Sequence, residues 1–516
     1  MDRQSDKAPA SGLHHVTLIT RRVQDNVDFY VGFLGLFLVK RTGGFEDATQ
    51  LHLFYGDRQA TPGSLVTFLV WEDGAPGRVG TGQVSEIALC VPRASIGAWL
   101  TRALAQGVRV EGPMREFGEP VLRLKDPDGI IVKLVGVGDE DVAGVPDAPL
   151  RAGRLRAVTI LTDAPEETAA FLERFGYRPV ASAGSSRRMV SDTDAVDVRD
   201  ASGYVPGVPG TGTADHVAFR AADGAALVAA EQSLSRRNAS PTTMHDRHYF
   251  ASLYVREPGG ALIELATDGP GFAIDEAEGR LGEILFVPPQ DRDRAEDLKV
   301  LLPQFSLPGA PRPPRRDLPF VHRFHTPDDP DHRTIVLLHG TGGDEADLMP
   351  FARRIAPRAT LLGVRGRATE EGVPRWFRRF SPGVFDEADI RAEAEAFAAF
   401  VEGAVTGYGL DRGALTFLGL SNGANFLAAV MALHPGLIRS AMLFRAAPVL
   451  ALLPAVDLAG TRVLAVAGLA DAAGGERGRL EGWLRAGGAD LTIAPVDAGH
   501  GLSAADGPVA RAWLDP

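Results

Sequence analysis

Cysteine is all but missing: Cys90 is the one thiol in 516 residues, so no disulfide can close within the chain. Its strand, EIALCV, makes a small buried apolar residue the expected role. No stretch reaches the roughly 18 uninterrupted apolar residues that a membrane span requires. The opening, MDRQSDKAPASG, lacks the apolar core of a secretory signal. These absences predict a cytoplasmic protein with no membrane partner. Positive charge is also in deficit, with 54 Lys and Arg against 66 Asp and Glu, and the resulting −12 is spread along the chain. That balance argues against nucleic acid, whose phosphates need cationic surfaces. Small molecules are the expected partners, and formation of a homo-oligomer is left open.

What is present is ordinary globular composition, 45% apolar and 23% charged, in a chain long enough for about two to four compact units. The N-terminal half repeats itself. Residues 80–134 lie over 210–265, so that Gly80-Thr81-Gly82 recurs as Gly210-Thr211-Gly212 and DPDGIIVKL (126–134) as EPGGALIEL (257–265). The copies also open alike, HVTLIT (15–20) matching AVTILT (157–162), each followed by a helix-like stretch. Each copy reads β-α-β-β-β, and two such modules enclose a cavity of the kind where ligands bind. The expected architecture is multidomain: paired βαβββ modules (α+β) at 12–137 and 152–290, a Pro-rich linker at 291–317, and an α/β unit at 318–516. The linker follows from PQFSLPGAPRPPRRDLP, since proline lacks the N–H that helices and central strands use. Beyond it, buried strands such as TIVLLHG (334–340) and LTFLGLS (415–421) alternate with helical stretches, the pattern of a mostly parallel sheet.

Gly419-Leu420-Ser421-Asn422-Gly423 follows an apolar strand and opens the helix-like ANFLAAVMAL, the strand–turn–helix context of a nucleophile elbow. Serine needs a histidine to take its proton and an acid to hold that histidine. Asp471, directly after VLAVAGLA, and His500, in DAGHGLS, supply both in the order Ser…Asp…His. HGTGGDE (339–345) is the glycine-rich loop expected to aim a backbone donor at an oxyanion, which assigns Thr341 N–H and Asn422 N–H to that role. His339 ends a strand and is read as structural. LLHGTGGDE, GLSNGAN, the Asp471 strand end and DAGHGLS together resemble the phospholipase/carboxylesterase family of small α/β-hydrolases. The resemblance implies hydrolysis of a small ester or activated acyl bond. RWFRRF (375–380) has two readings, the lining of a pocket for an anionic substrate or a solvated basic helix.

The repeat is most informative where it breaks. His216 stands where the first copy has Glu86, Glu264 where it has Lys133, and His15 where the second copy has Ala157. Selecting the metal-capable residue at each position yields His15, His216 and Glu264. Two histidines and one carboxylate with open positions suit Fe(II) and O2, with Mn(II) the alternative ion. A charged lysine cannot coordinate, so only one of the two metal sites is complete. LHHVTLIT (13–20), ADHVAF (214–219), DRHYFASLYVREPGGALIELATDGPGF (246–272) and LGEILFVPP (281–289) resemble the vicinal oxygen chelate superfamily, specifically its hydroquinone-type ring-cleaving dioxygenases. The resemblance implies that His15, His216 and Glu264 hold iron and that His14, Thr17, Arg247 and Tyr254 surround the substrate. His14 or Tyr254 would deprotonate or hold a para-diol, and Arg247 would stabilise developing negative charge. Asp215 departs from the family, in which a second histidine often precedes the ligand. His245 and His248 flank Arg247 at a spacing too weak to make them ligands.

The whole reads as a bifunctional enzyme of aromatic breakdown, a ring-cleaving dioxygenase acting with O2 on a small aromatic substrate and a serine carboxylesterase acting on a small ester. Two rivals differ in class. A glyoxalase-type metal lyase or isomerase fused to an esterase would consume no oxygen, and metal-free modules that bind a quinone or drug would hold no ion.

Overall fold

The computed structural model describes residues 12–138, 150–235, 243–471 and 476–515. The chain divides into two compact units. The first runs to Arg292 and takes in Leu302–Pro311; the second holds Asp293–Leu301 and the chain from Arg312 onward.

In the first unit each sequence repeat resolves into two βαβββ parts, so there are four. The first spans the strands Leu13–Thr20, Phe37–Gly43, Leu51–Gly56 and Leu65–Val70, and the second Gln83–Pro92, Val110–Glu116, Glu119–Lys125 and Ile131–Val137. The third and fourth open with the strands Leu155–Thr162 and Ala214–Ala221. The first and fourth parts, with the short strand Leu285–Phe286 added at the edge beside Phe37–Gly43, build one nine-stranded sheet, in which Leu13–Thr20 pairs antiparallel with Ala214–Ala221. The second and third build an eight-stranded sheet about the antiparallel pair Gln83–Pro92 and Leu155–Thr162. Partners within a sheet thus come from opposite copies of the repeat. Strand alternation sends Val16 and Leu18 to one face and His15 and Thr17 to the other, all four buried.

The second unit is a seven-stranded sheet in the order His322–His325, Thr360–Val364, Thr334–Leu338, Leu415–Leu420, Ser440–Phe444, Arg462–Gly468, Asp490–Val496, parallel except for its first strand. Both faces are covered. Val336 and Leu338 pack with the helices Glu387–Tyr408 and Asn422–Leu433, whereas Ile335 and Leu337 pack with Met349–Ile355. Two-sided burial explains why these strands read as unbroken apolar runs. The stretch expected to be linker contains the helix Ala295–Leu301, whose Leu298 and Val300 are fully buried, with Glu296 and Asp297 paired to Arg353 and Arg354. Those two apolar residues dock it on the second unit. Among the described residues, no helix is long and apolar enough to cross a membrane.

Candidate active sites

Three neighbouring strands of the nine-stranded sheet place His15 opposite Ala218 and Ala218 opposite Glu264. His216 lies two residues before Ala218, hence on the same face. The methyl of Ala218 leaves room for the longer side chains on either side of it to converge. His15 Nε2 and His216 Nε2 stand 2.9 and 2.8 Å from Glu264 Oε2 and 3.3 Å from each other. All three side chains are buried, yet neither Glu264 oxygen accepts a well-directed hydrogen bond among the described residues. A buried carboxylate without donors is costly, and three converging electron-rich atoms fit a divalent cation in number and type. Burial would raise the Glu264 carboxyl, but the two imidazoles outweigh it and hold it well below its usual range. Burial likewise lowers His216, but Glu264 and Asp215 overcome it and raise that ring to about 9.

The second nitrogen of each imidazole is also engaged. Asp215 Oδ2 lies 2.7 Å from His216 Nδ1, so the aspartate at the departing position still orients its neighbour, as outer-sphere carboxylates do. His14 Nδ1 lies 2.8 Å from His15 Nδ1. With an ion on His15 Nε2 the proton of that ring would sit on Nδ1 and His14 would accept it, which sets His14 behind a candidate ligand. Tyr254 pairs in register with Glu264, and burial, then Glu264, pushes its phenol well above the ordinary range. Arg247 reaches Tyr254 Oη at 3.5 Å and Glu46 at 3.1 Å. His245 sets its ring edge against Tyr254, while His248, at φ 68°, stacks on Phe286. Thr17 Oγ1 lies 2.9 Å from His216 Nε2 and 2.8 Å from Thr67 Oγ1, which in turn meets His52 Nε2 at 3.0 Å. Thr67 and His52 escaped the sequence reading: a histidine in LHLFYG looks like any half-buried strand residue.

In the second unit Ser421 sits at φ 50°, ψ −114° between the strand Leu415–Leu420 and the helix Asn422–Leu433. The flanking glycines are sterically required, since a Cβ at Gly419 would lie 2.6 Å from Ala424 N and one at Gly423 2.2 Å from Leu338 O. His500 Nε2 is 2.7 Å from Ser421 Oγ, and its Nδ1 is 3.0 Å from Asp471 Oδ2. Asp471 is shielded, while half of the His500 ring is open to solvent. The loop after Thr334–Leu338 abuts the elbow. Gly342 N–H donates to Pro374 O and Gly343 N–H to Gly340 O, whereas Thr341 N–H has no acceptor among the described residues. Asn422 accepts the Trp376 N–H through Oδ1, which fixes the first turn of its helix. His339 is buried between Gly340 O and Gly366 N–H, a structural position.

RWFRRF is not a helix. Val373–Arg375 and Arg379–Ser381 are short strands, and Trp376 and Phe377 are buried in the core. Arg375 and Arg379 both pair with Glu370. The sequence also gave no sign of Arg445. Its guanidinium, fully buried, is bidentate to Asp506 at 2.6 and 2.9 Å and donates to Gly499 O and Gly501 O. It therefore grips the backbone on both sides of His500.

The family model of the Glyoxalase/Bleomycin resistance protein/Dioxygenase superfamily matches residues 12–134. The "Putative ring-cleaving dioxygenase MhqO" of Bacillus subtilis (strain 168) is 34% identical over 303 residues, 57% of this chain and 96% of that protein. The "Chlorohydroquinone/hydroquinone 1,2-dioxygenase" of Sphingobium indicum is 31% identical over 301 residues, 54% of this chain and 92% of that protein. The "Putative hydrolase MhqD" of Bacillus subtilis (strain 168) is 36% identical over 181 residues, 35% of this chain and 90% of that protein.

Proposed function

Because the chain belongs to the ring-cleaving dioxygenases of the glyoxalase/bleomycin resistance/dioxygenase superfamily and carries a serine-hydrolase unit behind them, we propose that it opens hydroquinone-like rings with Fe(II) and O2 and separately hydrolyses a carboxylic ester or activated acyl compound. The observation that carries the first half is the buried Glu264 carboxylate with two imidazole nitrogens converging on one of its oxygens at 2.9 and 2.8 Å. His15, His216 and Glu264 would hold the ion, whose chemistry is the activation of oxygen toward an electron-rich ring. The protein's own share is orientation and charge. Asp215 and His14 keep the two imidazoles in the tautomer that turns Nε2 inward. Tyr254, kept a neutral phenol, donates a hydrogen bond to a ring oxygen, and Arg247 beside it stabilises negative charge developing on the ring. The likeness to a hydroquinone 1,2-dioxygenase supports the para-diol as substrate class.

In the second half His500 takes the Ser421 proton as Oγ attacks the carbonyl, and Asp471 stabilises the imidazolium. Thr341 N–H and Asn422 N–H receive the oxyanion. His500 then protonates the leaving group and activates the water that releases the acid.

The test is oxygen uptake by the Fe(II)-reconstituted protein with hydroquinone and its chlorinated and methylated analogues, run beside hydrolysis of a p-nitrophenyl ester. Glu264→Gln is expected to lose uptake and keep esterase activity. Ser421→Ala is expected to keep uptake and lose hydrolysis by about ten-thousandfold or more. A reconstituted wild type that consumes no oxygen with any analogue sinks the hydroquinone assignment.

A further inference from the structure

A phenolic substrate taken up between His15, His216 and Glu264 must give up its hydroxyl proton, and the two bases expected from the sequence are poorly placed to receive it. His14 Nδ1 is already engaged with His15 Nδ1 at 2.8 Å, and Tyr254 is a phenol held protonated. Starting from the inward nitrogen of His216, however, a line of hydrogen-bonding groups crosses three strands: Thr17 Oγ1 at 2.9 Å, Thr67 Oγ1 at a further 2.8 Å, His52 Nε2 at a further 3.0 Å. Thr17 and Thr67 are opposite one another in the register of Leu13–Thr20 and Leu65–Val70, and both are fully buried. His52 stands on the next strand, Leu51–Gly56, half-buried against Phe54. Its Nδ1 has no hydrogen-bond partner among the described residues.

We propose that Thr17, Thr67 and His52 are the route by which the substrate's hydroxyl proton leaves the site, a role that rests on the phenolic reading of the substrate. The substrate O–H gives its proton to Thr17 Oγ1 as Thr17 passes its own to Thr67 Oγ1, Thr67 passes its own to His52 Nε2, and His52 releases the Nδ1 proton to water. Each oxygen gives up one proton as it takes one, so neither threonine is left charged and the imidazole ends as its other tautomer. The direction requires a neutral imidazole. Burial first, then the nearby His15 and His216, lower His52 to about 3, which leaves it a lone pair and a single N–H. Thr17 and Thr67 are both fully buried, where hydrogen bonds in a chain polarise one another.

The experiment follows proton loss without turnover. The metal-loaded protein is mixed under argon with 4-nitrophenol, at a pH where the free phenol is protonated, and the phenolate absorbance is recorded by stopped flow. Thr67→Val removes the middle hydroxyl at nearly constant volume and is expected to slow phenolate formation by at least about tenfold. Thr67→Ser restores the hydroxyl and should stay within about twofold of wild type. His52→Phe and His52→Gln should be as slow as Thr67→Val, and Thr67→Val combined with His52→Phe no slower than either alone, since one route is cut twice. Metal content should be equal throughout. Variants that form phenolate at the wild-type rate overturn the route, as does a Thr67→Ser as slow as Thr67→Val, which marks a packing role. A wild type that forms no phenolate overturns the phenolic reading itself, and the route with it.

Discussion

The two sheets of the first unit use one frame for opposite ends. In the nine-stranded sheet the row across three strands is His15, Ala218, Glu264, with His216 two residues away. In the eight-stranded sheet the corresponding row is Ala157, Ala88, Lys133, with Glu86 two residues away. The registers correspond residue for residue. In the second row Lys133 Nζ lies 2.6 Å from Glu86 and 2.6 Å from Glu116, and Arg123 also pairs with Glu86. A buried carboxylate needs a positive partner. One sheet attaches that partner covalently as an ammonium, and the other gathers two imidazoles about the carboxylate, a set that could hold an ion.

The sharpest way to break the comparison is to write one solution into the other. Glu264→Lys is expected to abolish metal binding and oxygen uptake while the first unit stays folded; retention of one equivalent of iron, measured by elemental analysis, would show that the two rows are not equivalent. Lys133→Met strips Glu86 and Glu116 of their closest cation. Denaturant unfolding of the first unit should show a loss of about 3–5 kcal/mol, the usual cost of breaking a buried pair, and a loss below about 1 kcal/mol would place the pair in the class of surface pairs.

The smallest effect concerns pH. In the metal-free protein His216 is raised to about 9, so below that pH the ring carries a proton that an arriving ion must displace. Metal affinity should therefore rise with pH by up to about tenfold per unit, or about 1.4 kcal/mol, and level off above about 9. Chelator competition across pH measures this slope. Asp215→Asn removes one of the charges that raise His216 and should move the level portion to lower pH; an unchanged break would assign the proton to another group.

The readable parts of the molecule were those with local signatures. Ser421, Asp471 and His500 each follow a strand end or sit in a short motif, and a parallel sheet gathers its strand ends on one edge. His15, His216 and Glu264 were readable by subtraction, because a second copy of the same strands shows what those positions hold when no donor is needed. The half-length repeat was hidden because its four parts share a fold but few residues. His52 and Arg445 were hidden for another reason. Each acts across space, Arg445 on a loop more than fifty residues away, and neither neighbourhood in sequence records that contact. RWFRRF misled because its charges suggested a solvated face, whereas Trp376 and Phe377 tie the segment to the core.

By itself the sequence determined the strand–turn–helix at Ser421, the order of the triad, the repeat and the identities of the candidate metal donors, all properties of residue type and short-range spacing. The tertiary structure decided which copies share a sheet, that Ala218 separates His15 from Glu264, and that a hydroxyl chain joins His216 to His52. Those facts depend on register between strands as many as two hundred residues apart. Register is set by backbone hydrogen bonding and by burial of one face, and a slip of one residue would turn His15 and Glu264 away from each other.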